Sequence, residues 1–379
     1  MNSFNAFLND QPDNKIIYLD NAATEPVMSE VADKMYEILK NDYGNPSSLH
    51  NLGLKAENLV TQAREIIAST LGASKNEIYF APSGTIANNT AIFGYLKRNK
   101  RAGKKVLISC VEHPSVYNII KELKGMNYEV VEIPLKDSDY DYDFIEKNVD
   151  ENTALISAMA VNNETGTVFN IKKIRDIVSL KNPKTVIHCD CVQAYMKMPI
   201  KVRDFGADMI TIAAHKIGGP KGVGALYVKQ GLLIEPVYVG GGQEKGLFSQ
   251  TEAVHNIYGF ALSAKINKEN NYMEKIKELY DIFVENLSDK IIINSKNNLP
   301  NIINISVPIR SEIALHKLEM KGIYVSSGSA CSQKKGERNR VLAGFGLPQK
   351  LQDTALRISF GYANTKEEIL IAVKEINSL

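Results

Sequence analysis

Little in this chain of 379 residues points to a membrane, a nucleic acid or an oxidising compartment. No apolar run approaches the roughly 20 residues that a membrane helix needs. Residues 1–15 lack the basic region, apolar core and small-residue cleavage site of a secretory signal, so none is expected. Neither sign of charge dominates, since 45 Lys and Arg against 43 Asp and Glu leave a formal +2. Bulk charge therefore offers no footing for nucleic acid or for an anionic membrane surface. The four cysteines, Cys110, Cys189, Cys191 and Cys331, are too few and too unevenly spaced for a disulfide framework. A reducing cytoplasm is the expected setting. Repeats and low-complexity segments are missing as well.

What is present is a hydrophobic fraction of 44%, enough for a large core divided into two or three domains. Strand-like and helix-like segments alternate from about Glu77 to Val228, which predicts a mostly parallel sheet with right-handed crossovers. The strands are expected at Glu77 to Phe80, Lys105 to Cys110, Glu129 to Pro134, Ala154 to Val161, Lys184 to Cys189, Ala207 to Ala214 and Val223 to Val228. Helices are expected at Met28 to Leu39, Leu52 to Leu71, from the Pro82 turn to Lys97, and at Pro114 to Lys124. One long amphipathic helix is read over Glu252 to Leu287. Strands at Ile302 to Val307 and Leu356 to Phe360, with helices at Glu312 to Met320 and Lys366 to Asn377, predict a small α/β unit at the C-terminal end.

Chemistry concentrates at the predicted strand ends. Lys216 closes an apolar strand just before the turn Gly218-Gly-Pro-Lys-Gly222; loss of hydration there lowers an amine's pKa and frees it to form a Schiff base with an aldehyde. Asp190, in His188-Cys-Asp-Cys-Val-Gln193, ends the preceding strand, and a helix-sized connection through Phe205 brings both ends to one edge of the sheet. Open α/β sheets bind their ligands at that edge. Pro82-Ser-Gly-Thr-Ile-Ala-Asn-Asn89 opens a helix whose first N–H groups, with the hydroxyls of Ser83 and Thr85, make an anion site. Each of these is an ordinary turn or cap when taken singly. Cys189 and Cys191 alternate away from the face of Asp190, and no second Cys or His pair supports a metal there. Cys331 lies among small polar residues beside a basic run, conditions that favour a nucleophilic thiolate.

Taken together and in order, these motifs resemble the pyridoxal-phosphate-dependent cysteine desulfurases of the class-V aminotransferase superfamily, over about Ile16 to Asn377. The resemblance implies a fold-type-I architecture: α/β, with a large domain at residues 16–258 built on a mostly parallel mixed sheet, and a small α/β domain at residues 259–379 carrying the cysteine loop. Residues 1–15 are expected to pack on the small domain. It also implies pyridoxal 5′-phosphate on Lys216, with Asp190 at the ring nitrogen and His113 stacked on the ring and moving protons. Asn163 and Gln193 would serve the phenolic oxygen, and Gly84, Thr85 and His215 the phosphate end. Thr251 would reach the phosphate of a partner's cofactor in a homodimer. Arg357, with Asn163, would bind the substrate carboxylate, and Cys331, in Ser326-Ser-Gly-Ser-Ala-Cys331, would attack the sulfur of L-cysteine and carry it as a persulfide. The sulfur would pass to an acceptor protein, for iron–sulfur cluster, thio-cofactor or tRNA biosynthesis. The chain departs from the family pattern at Ile86, Ala213, Phe248 and Gln250; Ala213 replaces a serine that bonds the phosphate. A related class-V lyase or aminotransferase, selenocysteine lyase included, and a degenerate scaffold without turnover are the alternative readings.

Overall fold

The computed structural model describes residues 16–327 and 339–379. The N-terminal tail at 1–15, Cys331 and most of the basic run after it lie outside the described residues. From a short strand β1 (Ile17–Tyr18) and the helices Ser29–Asn41 and Asn51–Leu71, the chain lays down β2 (Ile78–Ala81), β3 (Lys105–Ser109) and β4 (Glu129–Ile133). A hairpin of β5 (Leu135–Lys136) and β6 (Asp139–Tyr140) follows. Then β7 (Thr153–Ser157), β8 (Val186–Asp190), β9 (Met209–Ala213) and β10 (Gly224–Val228) complete a seven-stranded sheet of order β2-β10-β9-β8-β7-β3-β4. Five of its strands run parallel, while β10 is antiparallel to both β9 and β2. The expected mostly parallel mixed sheet is the one observed.

Every residue of β7, β8, β9 and β10 is buried. Burial on both faces is why these strands read as apolar runs rather than as alternating patterns. Period two still sorts the two faces: Leu107 and Ile156 join one core with the helices Asn51–Leu71 and Ile171–Lys181, whereas Val106, Ile108 and Leu155 join the other with Gly84–Arg98. A third core surrounds an antiparallel sheet of β11 (Ile292–Ile293), β12 (Ile302–Ser306) and, after β13 (Ile323–Tyr324), β14 (Ala355–Ser359). Strand β1 pairs in parallel with β13, so Ile17 and Leu19 belong to this third core.

The helix expected over Glu252 to Leu287 is two helices, Val254–Asn270 and Tyr272–Glu285. Asn271 between them takes φ +46°, a left-handed conformation that asparagine tolerates better than most residues. Its N–H caps the first helix on the Asn267 carbonyl. The first helix packs on Ser29–Asn41 and Asn51–Leu71, and the second on Lys366–Asn377. The helix expected over Pro114 to Lys124 likewise divides, into Pro114–Tyr117 and Ile119–Gly125. Between β8 and β9 the connection holds only one helical turn, Val202–Phe205, ended by Gly206 at φ +96°.

Candidate functional site

The carboxyl ends of β3, β7, β8 and β9 open into a cleft of about 440 Å³, within the range of roughly 300–1,000 Å³ usual for small-molecule sites. Gly84, Thr85, His113, Asn163, Asp190, Gln193, His215, Lys216 and Arg357 all line it. Residues scattered over most of the sequence thus meet in one place.

Asp190 ends β8 and is 5% exposed. One carboxylate oxygen accepts from the Val192 N–H at 2.9 Å and the other from Asn88 Nδ2 at 2.8 Å. The Asn88 amide also donates to Ser115 Oγ at 2.9 Å, and Ser115 Oγ lies 2.8 Å from His113 Nδ1. With its oxygen already accepting from Asn88, the serine turns its proton to the imidazole. The Ser115 N–H donates to the same Nδ1 at 3.2 Å. A ring nitrogen that accepts leaves the proton of the neutral ring on Nε2. His113 opens to the cleft, yet the protein around it lowers its pKa by desolvation; Asp190 opposes that shift, and Lys216 and Arg340 reinforce it.

Strands β8 and β9 pair with Asp190 opposite Thr211, and a tight turn over Ala214–Lys216 carries Lys216 back over the sheet edge. The half-buried Lys216 donates from Nζ to the carbonyls of Ala22 and Ala23, each at 2.6 Å. Its pKa falls to about 7, first through desolvation and then through the cations Arg357 and Lys197; Asp20 and Asp190 pull the other way. Desolvation and the same neighbouring lysines bring His215 down to about 3.

The helix Gly84–Arg98 points its first turn at the cleft. Ser83 is its cap, with Oγ accepting from the Ile86 N–H at 3.2 Å, which leaves the hydroxyl proton to donate into the cleft that Ser83 lines. A Cβ at Gly84 would stand 3.2 Å from Val192 Cγ2 and 3.7 Å from the Ala213 Cβ, crowding the floor of the cleft. Asn162 organises the turn after β7, its Oδ1 accepting from the N–H groups of Glu164 and Thr165 at 3.0 Å each. The neighbouring Asn163 keeps a buried Oδ1 without a partner among the described residues, as does Gln193 at Oε1. Gln193 sits in the turn after β8, and its Nε2 donates to the Ala22 carbonyl at 2.9 Å. Arg357, from β14, donates to Asp20 Oδ1 at 2.7 Å and to the Asn163 carbonyl at 3.0 Å, while its buried Nε has no partner among the described residues.

Thr251 is exposed and does not line the cleft. Phe248 is 2% exposed within the second core. Cys189 and Cys191 lie in the first core with their sulfurs 3.5 Å apart. His188 is a structural residue under the floor, bound to Ser157 Oγ at 2.8 Å and Thr211 Oγ1 at 3.1 Å. Sequence reasoning missed Asn88 and Asp20. Asn88 stands four positions after Gly84, hence on the same helix face, which is the signal that could have found it. Nothing local marks Asp20, whose partner is 337 residues away.

The family described as Aminotransferase class-V matches residues 17–371. A cysteine desulfurase IscS 1 of Archaeoglobus fulgidus is 38% identical over 360 residues, covering 93% of this chain and 94% of the relative. Among solved structures, a NifS-like protein aligns with a TM-score of 0.90 and 32% identity, covering 96% of this chain and 99% of that one. SspA in complex with cysteine aligns at 0.81 with 30% identity, covering 92% and 99%.

Proposed function

The chain belongs to the class-V aminotransferase family, and on that premise we propose that it is a pyridoxal-phosphate-dependent cysteine desulfurase, which converts L-cysteine to L-alanine and keeps the sulfur on Cys331 as a persulfide. The observation that carries this reading is the convergence on one sheet edge of a lysine softened to about pH 7 and a buried carboxylate fed by two donors. A sulfur carrier at Cys331 is read from sequence alone.

The residues of the cleft fit the cofactor. Asp190 is an acid for a protonated ring nitrogen, the side-chain-free first turn at Gly84 leaves room for an anion, and the unpartnered atoms of Asn163 and Gln193 are polar contacts awaiting a ligand. Bound there, pyridoxal phosphate supplies an electron sink for charge developing at the substrate α-carbon. Lys216, with an amine near neutrality, holds the aldehyde carbon and then moves protons at its own Nζ. His113 presents its Nε2 proton to the same space. Arg357 takes the substrate carboxylate, for which its Nε is unengaged. Gly84, Thr85 and His215 surround the phosphate, with Thr251 contributed by a second copy in a homodimer. The thiolate of Cys331 attacks the substrate sulfur; an S–S bond forms as the substrate C–S bond breaks, and the electron pair of that bond returns to carbon. An acceptor protein then removes the sulfur, for iron–sulfur cluster or thio-cofactor assembly.

The test is a visible absorbance spectrum of the purified protein before and after L-cysteine, with alanine, and the sulfide that an added thiol reductant releases from the persulfide, measured in the same samples. A yellow protein whose spectrum changes with cysteine, and whose sulfide release stops in Cys331→Ala, supports the reading. Continued sulfide release from that variant at the parent rate sinks it in favour of a lyase.

A further inference from the structure

A charged pair that the chemistry above does not use lies behind the reactive lysine. Glu25 and Lys197 both have side chains only 5% exposed, and Lys197 Nζ stands 3.4 Å from Glu25 Oε1. Among the described residues that ammonium has no other polar partner in hydrogen-bonding geometry. A buried ion pair seldom stabilises a fold more than a well-packed apolar pair of similar volume, so its presence needs another account. Its location is specific. The Glu25 N–H donates to the His215 carbonyl at 2.8 Å, one residue before Lys216. The carbonyls on which the Lys216 amine rests belong to Ala22 and Ala23, in the same segment as Glu25. Gln193, four residues before Lys197, donates to that same Ala22 carbonyl. The pair therefore brackets both the backbone and the amine of Lys216.

We propose that Glu25 and Lys197 are positioning residues for Lys216: Glu25 fixes a second ammonium behind the reactive amine, and repulsion between the two cations keeps that amine in the neutral form that attacks a carbonyl carbon. The proposal rests on the reading of Lys216 as the cofactor lysine. Several other charges face this amine. Arg357 from β14 repels it more than Lys197 does, Asp20 after β1 and Asp190 on β8 attract it, and His113 stands across the cleft. Burial pushes the Glu25 carboxyl up and Lys197 pulls it back, as befits a pair held together without water. The Lys216 amine also draws the Glu25 carboxyl down, so it feels both ends of the pair, with the Lys197 ammonium the stronger of the two. Lys197 also differs from Arg357 in kind. Each has a carboxylate partner, but Arg357 lines the cleft and would be neutralised further by a substrate carboxylate, whereas Lys197 does not line it and keeps its influence throughout turnover.

The experiment reads the Lys216 amine directly. The full chain, freed of bound carbonyl compounds with hydroxylamine, is labelled with acetic anhydride across a pH series, and the extent of acetylation at Lys216 is mapped by mass spectrometry. The parent should give a midpoint near 7. In Lys197→Met the midpoint should rise by about one pH unit, a tenfold loss of free amine at any lower pH; Lys197→Arg, which keeps the charge, should stay with the parent. A parent-like midpoint in a folded Lys197→Met protein overturns the proposal. If that variant does not fold, a parent-like midpoint in Lys197→Gln overturns it instead. Borohydride trapping of the cofactor on Lys216 in untreated parent protein is read separately, so a failed cofactor assignment is distinguishable from a failed charge pair.

Discussion

The two ends of the cleft are built on opposite plans. At the sheet edge, Asp190, Asn88, Ser115 and His113 form a continuous run of hydrogen bonds from β8 through the helix Gly84–Arg98 to the turn after β3. At the opposite end, where the resemblance puts the phosphate, the chain offers few free side-chain donors. Ala213 is apolar and Thr251 lies outside the cleft, which leaves the hydroxyls of Ser83 and Thr85. One end is a preorganised network within a single chain, the arrangement that makes electrostatic catalysis effective. The other relies on helix N–H groups, His215 and a second copy. Chemistry is specified more tightly here than anchoring.

The sharpest way to break this contrast is at the lysine. Lys216→Ala should abolish cysteine-dependent sulfide release, by a thousandfold or more, equivalent to about 4 kcal/mol of barrier; borohydride should then fix no cofactor to the corresponding peptide. A variant that retains more than a tenth of parent activity would remove Lys216 from the chemistry. Asp190→Asn comes next. It keeps the shape but removes the charge that holds a ring nitrogen protonated, and kcat should fall by roughly 10²- to 10⁴-fold, as for loss of a positioned acid–base group. Near-parent kcat in that variant would mean that the Asn88 network serves packing alone.

Beneath the same floor, His188 makes a prediction about pH. It is fully buried, with a pKa lowered to about 4 by desolvation, and Asp190 only partly offsets this. Between pH 4 and 6.5 the unfolded chain binds a proton there that the folded chain does not, so stability must fall as pH drops through 6.5 and the loss must level off below 4. The full loss is about 3 kcal/mol for this one group. Denaturant midpoints measured across that window should be flatter in His188→Asn; equal slopes in parent and variant would contradict the assignment. The smallest effect belongs to the other end. Ala213→Ser restores a hydroxyl beside Gly84, and one charge-assisted hydrogen bond, about 1.5 kcal/mol or more, should slow cofactor loss during dialysis against a carbonyl reagent about tenfold. Unchanged or faster loss would mean that the space around Ala213 is already filled.

The legible part of this molecule is its periodic and local part. Alternating strands and helices announced the sheet, and Asp190 and Lys216 could be paired because successive parallel strands deliver their ends to one edge. Wherever a single side chain decides the backbone, the reading failed: Asn271 breaks a helix whose apolar pattern runs through it, because a left-handed residue leaves no trace in periodicity. The contact between Asp20 and Arg357, and the network through Asn88, were invisible because they join residues 337 and 102 positions apart.

The seam between the chain's two ends carries a consequence in time. Asn21 donates to the Ser359 carbonyl across 338 residues, Asp20 meets Arg357, and the carbonyls of Ala22 and Ala23 that seat Lys216 belong to the same short segment. During synthesis Asp20 and Asn21 emerge 337 and 338 residues ahead of their partners and must wait for β14 before the near wall of the cleft can close. Contacts of such long range are slow to form, because their loop-closure entropy is lost before any contact rewards it. The central sheet can assemble ahead of that event, but the site cannot. Acquisition of the bound chromophore should therefore trail the recovery of secondary structure on refolding, and the yellow colour would serve as a clock for the final step of folding.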